Sequence, residues 1–381
     1  MKKINLSFVF PCLNEAETIP VVISELKAVL DSMDISWEII VSDNGSTDDS
    51  VTLAQNLGCR VVHATSKGYG SALKKGFQES LGKYVAFADI DGSYPLKYLP
   101  RMYREAVTEN ADMVVASRIK GKIEKGAMPF LHRWIGTPAL TGLINFLFKG
   151  KLSDCNSGFR LFKKASFEKW NVHSEGMEFA SELLINALKN KSKIVEIPAG
   201  LRPDKRSRKP HLKTWRDGMR HLLFILSEAP KLFETVGLGL VVLSGILELC
   251  SIFLGPISLG KISVFDYHSK LILLGMMIVG LQSYLFSGAI YVLKSGEMPF
   301  KITSKLLALR EETLFGVCVV TVLGVIAGLS GFMIFWGNNA FHGIAVIRPL
   351  LDILYWLLSV FMFAFGLIQI HLFKRFQGQS K

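Results

Sequence analysis

The chain has 381 residues, half of them hydrophobic, a mean hydropathy of +0.33 and a formal net charge of +12. That is longer than one compact core usually allows, and more apolar than an ordinary soluble protein of this size. The excess positive charge suits anionic lipid or phosphate-bearing ligands; without zinc spacing, an RNP-like aromatic strand or a basic arm, nothing points to nucleic acid. Five scattered cysteines (Cys12, Cys59, Cys155, Cys250 and Cys318) contain no CxxC pair, which argues against a disulfide framework and fits a reducing compartment.

The opening run INLSFVF follows a charged stub, a composition that a signal peptide shares, but it is short and meets Pro11, so a first strand is the better reading. From there, strand-like and helical patterns alternate. A helix is expected over 18–33, then the strand WEIIVSD, a helix over 47–57, the strand CRVVHA and a helix over 70–80. The strand YVAFADI, a helix over 96–109 and the strand DMVVASR follow. CNSGFRLFKK and SKIVEIPAGLR add strand-like pieces around a helix over 179–189. This alternation predicts an α/β fold with a parallel sheet.

Next comes LRPDKRSRKPHLKTWRDGMRHLLFIL, a cationic loop running into a helix. Leu212, Trp215, Met219, Leu222 and Leu223 share one stripe of that helix, as expected of an amphipathic segment at a membrane interface. Four long apolar stretches complete the chain, at about 233–254, 271–293, 314–336 and 350–373. Each is long enough to cross a hydrocarbon core of about 30 Å. The expected organisation is therefore a domain over 1–210, an interfacial helix over 211–231 and a four-helix membrane domain over 232–381.

Positive charges favour the loop between the second and third spans (Lys294, Lys301, Lys305, Arg310) and the tail (Lys374, Arg375, Lys381). The other loops hold Lys261, Lys270 and Arg348. This bias places the N-terminal domain in the cytoplasm, and a bacterial inner or plasma membrane is the expected setting. Glu248 and Gln282, costly in lipid, should face the interior of the bundle.

The chemistry gathers at strand ends. ADIDGSYP delivers Asp89 and Asp91, two carboxylates at i and i+2, to the end of an apolar strand, where ligands collect in α/β sheets. Such a pair needs a positive partner, and Mg²⁺ typically takes one or two carboxylates plus phosphate oxygens. FPCLNEAE brings Asn14 and Glu15 to the end of the first strand. VSDNGSTDDS brings Asp43 to the end of the second, with Gly45, Ser46 and Thr47 suited to a turn and a helix cap. Arg118, Arg202, Arg206, Arg208 and Lys209 are candidate cations for a departing diphosphate. Arg133 reads equally as an interfacial anchor beside Trp134, Asp154 as a turn residue, and Glu178 and Glu182 as solvated acids.

FPCLNEAETI, VSDNGSTDDS, KGYGSAL, ADIDGSYP, CNSGFRLF and RPDKRSRKPHLKTWRDG stand in the order and spacing of family 2 glycosyltransferases. Over about 5–220 the chain most resembles membrane-bound polyprenyl-phosphate glycosyltransferases such as dolichyl-phosphate mannose and glucose synthases. The resemblance implies a GT-A fold, a Rossmann-like mixed sheet with helices on both faces. It implies inverting transfer of a hexose from a UDP- or GDP-sugar to a polyprenyl phosphate, with Mg²⁺ or Mn²⁺, and possible homo-oligomers.

By the same resemblance, Pro11, Leu13, Glu15, Asp43, Ala88 and Asp89 line the nucleotide-sugar site, with Arg202, Arg208 and Lys209 nearby. Asp89 and Asp91 hold the metal. Arg133 and Thr137 resemble the residues that receive the acceptor phosphate. Read from the residues themselves, Arg118 is a further candidate for that phosphate, and Asp91, Arg118 and Asp154 are the candidate catalytic residues. Ser42 stands where relatives carry a second acid. Processive polysaccharide synthases carry a Gln-x-x-Arg-Trp motif whose Gln is replaced here by Phe130, ahead of Arg133 and Trp134. A non-catalytic scaffold would not need Asp43, Asp89 and Asp91 intact.

Overall fold

Seven strands form one sheet in the N-terminal part of the chain: β1 (Leu6–Cys12), β2 (Trp37–Asp43), β3 (Arg60–His63), β4 (Tyr84–Phe87), β5 (Met113–Ser117), β6 (Arg160–Lys163) and β7 (Ile194–Pro198). The structure is a computed structural model and describes residues 4–206, 214–259, 262–294, 305, 308–338 and 347–379. Two compact units are present, 1–228 and 229–381.

The strand order is β3-β2-β1-β4-β6-β5-β7. β1, β2, β3 and β4 run parallel, as do β5 and β7, while β6 lies antiparallel between β4 and β5. The sheet is thus mixed, as the GT-A resemblance implies, and β6 is the exception to the parallel sheet that the strand–helix alternation alone suggests. β1 is apolar and buried nearly throughout because both faces of the sheet are covered. Phe8 and Phe10 turn to one core with α1 (Ile19–Asp31) and α4 (Leu99–Thr108). Val9 turns to the other with α3 (Tyr69–Glu79) and α7 (Phe179–Lys189), the period-2 alternation of a strand. Burial of each such aromatic or aliphatic side chain is worth about 1.5–3 kcal/mol.

Of the remaining helices, α2 (Ser50–Asn56) is shorter than expected, and α5 (Thr137–Phe148) and α6 (Lys164–Trp170) were not anticipated. A wide turn over His132–Gly136 leads into α5. α8 (Thr214–Ser227) ends the first unit; it exposes Met219 and Leu223 and buries Ile225. Leu212 of the expected stripe lies outside the described residues.

The second unit holds α9 (Pro230–Leu254), α10 (Tyr267–Lys294), α11 (Glu311–Asn338) and α12 (Ile347–Gln379), all long and apolar enough to cross a membrane. A short hairpin of β8 (Ile257–Leu259) and β9 (Ile262–Val264) joins α9 to α10. Glycines let these two helices meet closely: a Cβ on Gly237 would stand 2.6 Å from the Tyr284 nitrogen. Glu248 is fully buried, as expected, and its Oε1 accepts from Lys270 Nζ at 3.0 Å; Lys270 also pairs with Asp352. Lys270 and Arg348, counted above as loop charges, therefore belong to helices. Gln282 is exposed, contrary to expectation. The buried stripe of α10 runs through Leu281, Tyr284, Leu285 and Gly288, and Gln282 sits about 100° away from Leu281 around the helix.

Candidate active site

The parallel strands end at a crevice beside β1, where the strand order departs to β2 on one side and β4 on the other; this is the position at which doubly wound sheets take ligands. A cavity of about 530 Å³ opens there. Pro11, Leu13, Glu15, Asp89, Asp91 and Arg206 line it.

Two loops build the wall on the β2 side. Asn14, at φ 56°, accepts the Thr47 N–H at 2.7 Å through Oδ1, and its own N–H donates to Ser46 Oγ at 2.9 Å. Asn44 ties in the next loop, accepting from Gly68 N at 2.7 Å and donating to the Ser66 carbonyl at 2.8 Å. Gly68, at φ 140°, is obligatory, since a Cβ there would lie 2.1 Å from the Glu175 carbonyl oxygen.

The 173–175 loop is itself held by Glu182, whose carboxylate accepts from His173 N at 3.0 Å and Ser174 N at 2.7 Å. Glu182 is buried and structural, not the solvated acid expected from its helical position. Ser42 is also explained. Its hydroxyl is fully buried and donates to the Ala72 carbonyl of α3 at 2.6 Å, so an acid there would point into the sheet–helix packing.

Asp43 does not line the cavity. Its carboxylate is buried and accepts from Gly45 N at 3.0 Å and Ser46 N at 3.1 Å, with His63 Nδ1 at 3.3 Å. Burial alone would raise its pKa, but the bonds from Ser46, Gly45 and His63 outweigh that and hold it below the usual carboxylate range. Ala88 is likewise turned into the core.

Asp89 and Asp91 both reach the cavity from the turn that follows β4, with Ile90 buried between them. Asp89 Oδ1 accepts from the Tyr69 hydroxyl at 3.0 Å. A Cβ on Gly158 would stand 2.7 Å from Asp89 Oδ2, so only glycine lets the CNSGF turn pass so close. That turn is folded around Arg160, a fully buried cation that donates to the carbonyls of Ser157, Ala180 and Cys155 at 2.7–2.8 Å. Sequence reasoning passed over both Arg160 and Tyr69, although each stands in a quoted motif. Burial, and then the charge of Asp91, push the Asp89 carboxyl up to about 7.

The cation beside this pair is Arg206. Its Nη2 lies 2.6 Å from Asp91 Oδ2 and its Nη1 3.1 Å from Glu15 Oε1. Arg202 instead pairs with Glu25 at 2.6 Å and donates to the Gly92 carbonyl at 2.8 Å, which straps residues 202–206 over the Asp-Ile-Asp turn. Arg208 and Lys209 lie outside the described residues.

Arg118 and Asp154 form a closed pair. Asp154 is wholly buried and accepts from Arg118 Nε at 2.7 Å, Nη2 at 2.8 Å and the backbone N at 3.0 Å. Burial would raise the Asp154 pKa, but Arg118 more than offsets it and keeps the carboxylate ionised. Arg133 lies over the exposed Trp134 ring at 5.1 Å, and Thr137 is buried at the start of α5; neither lines the cavity.

Among the described residues no group of three or more His, Cys, Asp or Glu side chains converges as a self-sufficient metal cage. Two cavity-facing carboxylates, one strained by its neighbour's charge, are nevertheless a donor set that suits Mg²⁺ or Mn²⁺ completed by diphosphate oxygens and water.

Residues 7–170 match the family described as Glycosyl transferase family 2. The chain is 30% identical over 252 residues to a dolichol-phosphate mannosyltransferase of Pyrococcus furiosus, covering 64% of this chain and 69% of that protein. The chain belongs to glycosyl transferase family 2. It is also 38% identical over 245 residues to the low-salt glycan biosynthesis hexosyltransferase Agl6 of Haloferax volcanii, covering 64% of this chain but only 58% of that relative's length. In fold, this family 2 chain is similar to glucosyl-3-phosphoglycerate synthase from Mycobacterium tuberculosis, a structure solved with Mn²⁺, UDP-glucose and phosphoglyceric acid. The TM-score is 0.50 at 24% identity, over 59% of this chain and 80% of that one. The family match takes in Asp89, Asp91, Arg118 and Asp154, whereas the 202–206 strap lies beyond it.

Proposed function

We propose that this family 2 chain transfers a hexose, with inversion, from a UDP- or GDP-sugar to a polyprenyl phosphate at the cytoplasmic face of a membrane. The observation that carries the reading is the crevice at the strand ends, where Asp89, Asp91, Glu15 and Arg206 meet in a chain that also has four membrane-length helices. Relatives named as dolichol-phosphate mannosyltransferase and dolichyl-phosphate hexose transferase support a lipid-phosphate acceptor. The positive bias of the middle loop and tail supports the cytoplasmic side.

Pro11 and Leu13 offer apolar surface to the nucleoside, with Asp43 shaping the turn beneath it. Asp89 and Asp91 would hold Mg²⁺ or Mn²⁺, which when bound supplies Lewis-acid stabilisation of the leaving diphosphate. Arg206 adds positive charge on the same side. A phosphate oxygen of the acceptor attacks the anomeric carbon as the bond to the diphosphate breaks. The acceptor phosphate is already ionised at neutral pH, so no proton need be removed. Arg118, fixed in orientation by Asp154, would steer the acceptor phosphate together with Arg133 and Thr137; Asp154 is then a positioning residue.

Incubating membranes that contain the protein with labelled nucleotide sugars and polyprenyl phosphate, with and without EDTA, tests this. Metal-dependent label in an acid-labile lipid is expected. Label in a long polymer, or no transfer with any donor, would overturn the proposal.

A further inference from the structure

Arg206 occupies an unusual place: a guanidinium among three acids at the wall of the nucleotide cavity. Its Nη2 contacts Asp91 Oδ2 at 2.6 Å and Asp204 Oδ2 at 3.4 Å, and its Nη1 contacts Glu15 Oε1 at 3.1 Å. Its Nε is buried without a hydrogen-bond partner among the described residues, a donor left over in an otherwise satisfied fork. The backbone that carries it is held independently. Arg202 N donates to the Ser93 carbonyl at 3.0 Å and Lys205 N to the Asp91 carbonyl at 2.9 Å. The side chain can therefore leave Asp91 without the strap moving, and Glu15 and Asp204 remain to receive it.

We propose that Arg206 is a built-in cation that closes Asp91 to free divalent ions and yields it when a nucleotide diphosphate enters, so that metal and nucleotide bind as a coupled pair. This rests on the metal reading given above. A bare divalent ion must displace a guanidinium from Asp91 and then sit beside it, two positive groups sharing one carboxylate. A diphosphate removes that conflict, because its oxygens can ligate the ion and accept from the freed Nη2 and the spare Nε together. Coupling of this kind is reciprocal: nucleotide tightens metal, and metal tightens nucleotide, by the same factor. Arg206 thus guards against idle occupation of the acids by cellular Mg²⁺, and it does so with a side chain outside the family-matched segment.

The test is Mn²⁺ binding, followed by the EPR signal of the free ion, to the full-length protein in detergent micelles, alone and with saturating UDP or GDP. Wild type should bind Mn²⁺ about tenfold or more tightly with nucleotide than without. Arg206→Gln should bind Mn²⁺ alone about tenfold more tightly than wild type and lose most of the nucleotide dependence, the scale expected when one close charge is removed from a carboxylate. Arg206→Lys, which keeps the charge, should behave more like wild type.

Equal Mn²⁺ affinity with and without nucleotide in wild type would overturn the inference even if the variants fail to fold. So would an Arg206→Gln protein that binds Mn²⁺ alone no better than wild type. Wild type that takes up no Mn²⁺ even with nucleotide would instead remove the metal reading itself.

Discussion

Arg206 and Lys270 are each set between carboxylates, and the two settings differ in kind. In the first unit Arg206 reaches Glu15 and Asp91 from a loop, at the wall of an open cavity. In the second, Lys270 meets Glu248 and Asp352 from within α10, buried against α9 and α12. The arginine can exchange partners with an incoming ligand, whereas the lysine has nowhere to go. Charge pattern alone does not separate a switch from a rivet; attachment and access do.

Several substitutions sharpen that contrast. The largest effect is expected from Asp91→Ala, which should cut hexose transfer by about 10²–10³-fold or more while the protein stays monodisperse in detergent. Near-normal label incorporation would remove Asp91 from the chemistry. Lys270→Met should instead act on stability. It leaves two acids without their cation among apolar helices, a loss of about 3–5 kcal/mol, read as a lower melting temperature in detergent with nucleotide binding per folded molecule unchanged.

Asp154→Asn should lower kcat by about 10²-fold through misorientation of Arg118 while leaving the nucleotide Kd nearly unchanged. A change confined to Kd would contradict the positioning role. Gly158→Ala should be milder, displacing the Asp89 carboxylate and weakening Mn²⁺–nucleotide binding by about tenfold, the scale of one lost charge-assisted contact.

The smallest effect concerns pH. Asp89, pushed up to about 7, holds its proton in the folded metal-free protein between about pH 4 and 7, where the unfolded chain has released it. The native state then binds more protons, so this group's contribution to stability is lost as pH rises through that window. Asp154 has the opposite sign, because its lowered pKa favours folding once pH exceeds the ordinary carboxylate range. Unfolding in EDTA across pH 4–8 should show the Asp89 component vanish in Asp89→Asn; an identical pH profile in that variant would refute the shift.

Much of this was legible before any coordinates. Hydrophobic runs located every strand of the large sheet and all four long helices, because burial on both sheet faces, or in lipid, leaves uninterrupted apolar sequence. The acids of Asp-Ile-Asp were found because a carboxylate pair after a buried strand has few bland explanations. The misses have physical causes too. α5 is apolar on nearly all sides, so it shows no stripe, and only Pro138 near its start marked it. The direction of β6 depends on pairing with β4 and β5, which local periodicity does not encode. Glu182 read as a solvated acid because its value lies in the backbone N–H groups of a neighbouring loop, and the partner of Ser42 is a carbonyl 30 positions away, neither of which a sequence displays. Nor does it display the guanidinium beside Asp91, which stands 115 positions later.

The reversed strand β6 also changes how the catalytic domain can vary. Residues 118–153 leave the sheet after β5 and return just before β6, and both ends of this excursion are clasped. Ser117 meets Ser153 at 2.6 Å, Arg118 grips Asp154, and Ser157 bonds back to the Ala116 carbonyl at 2.6 Å. With its base buttoned shut, the exposed part of the excursion can change its surface without transmitting strain to the cavity floor around Asp89 and Asp91. Novelty in what the domain greets from outside is thereby insulated from the carboxylates at the strand ends.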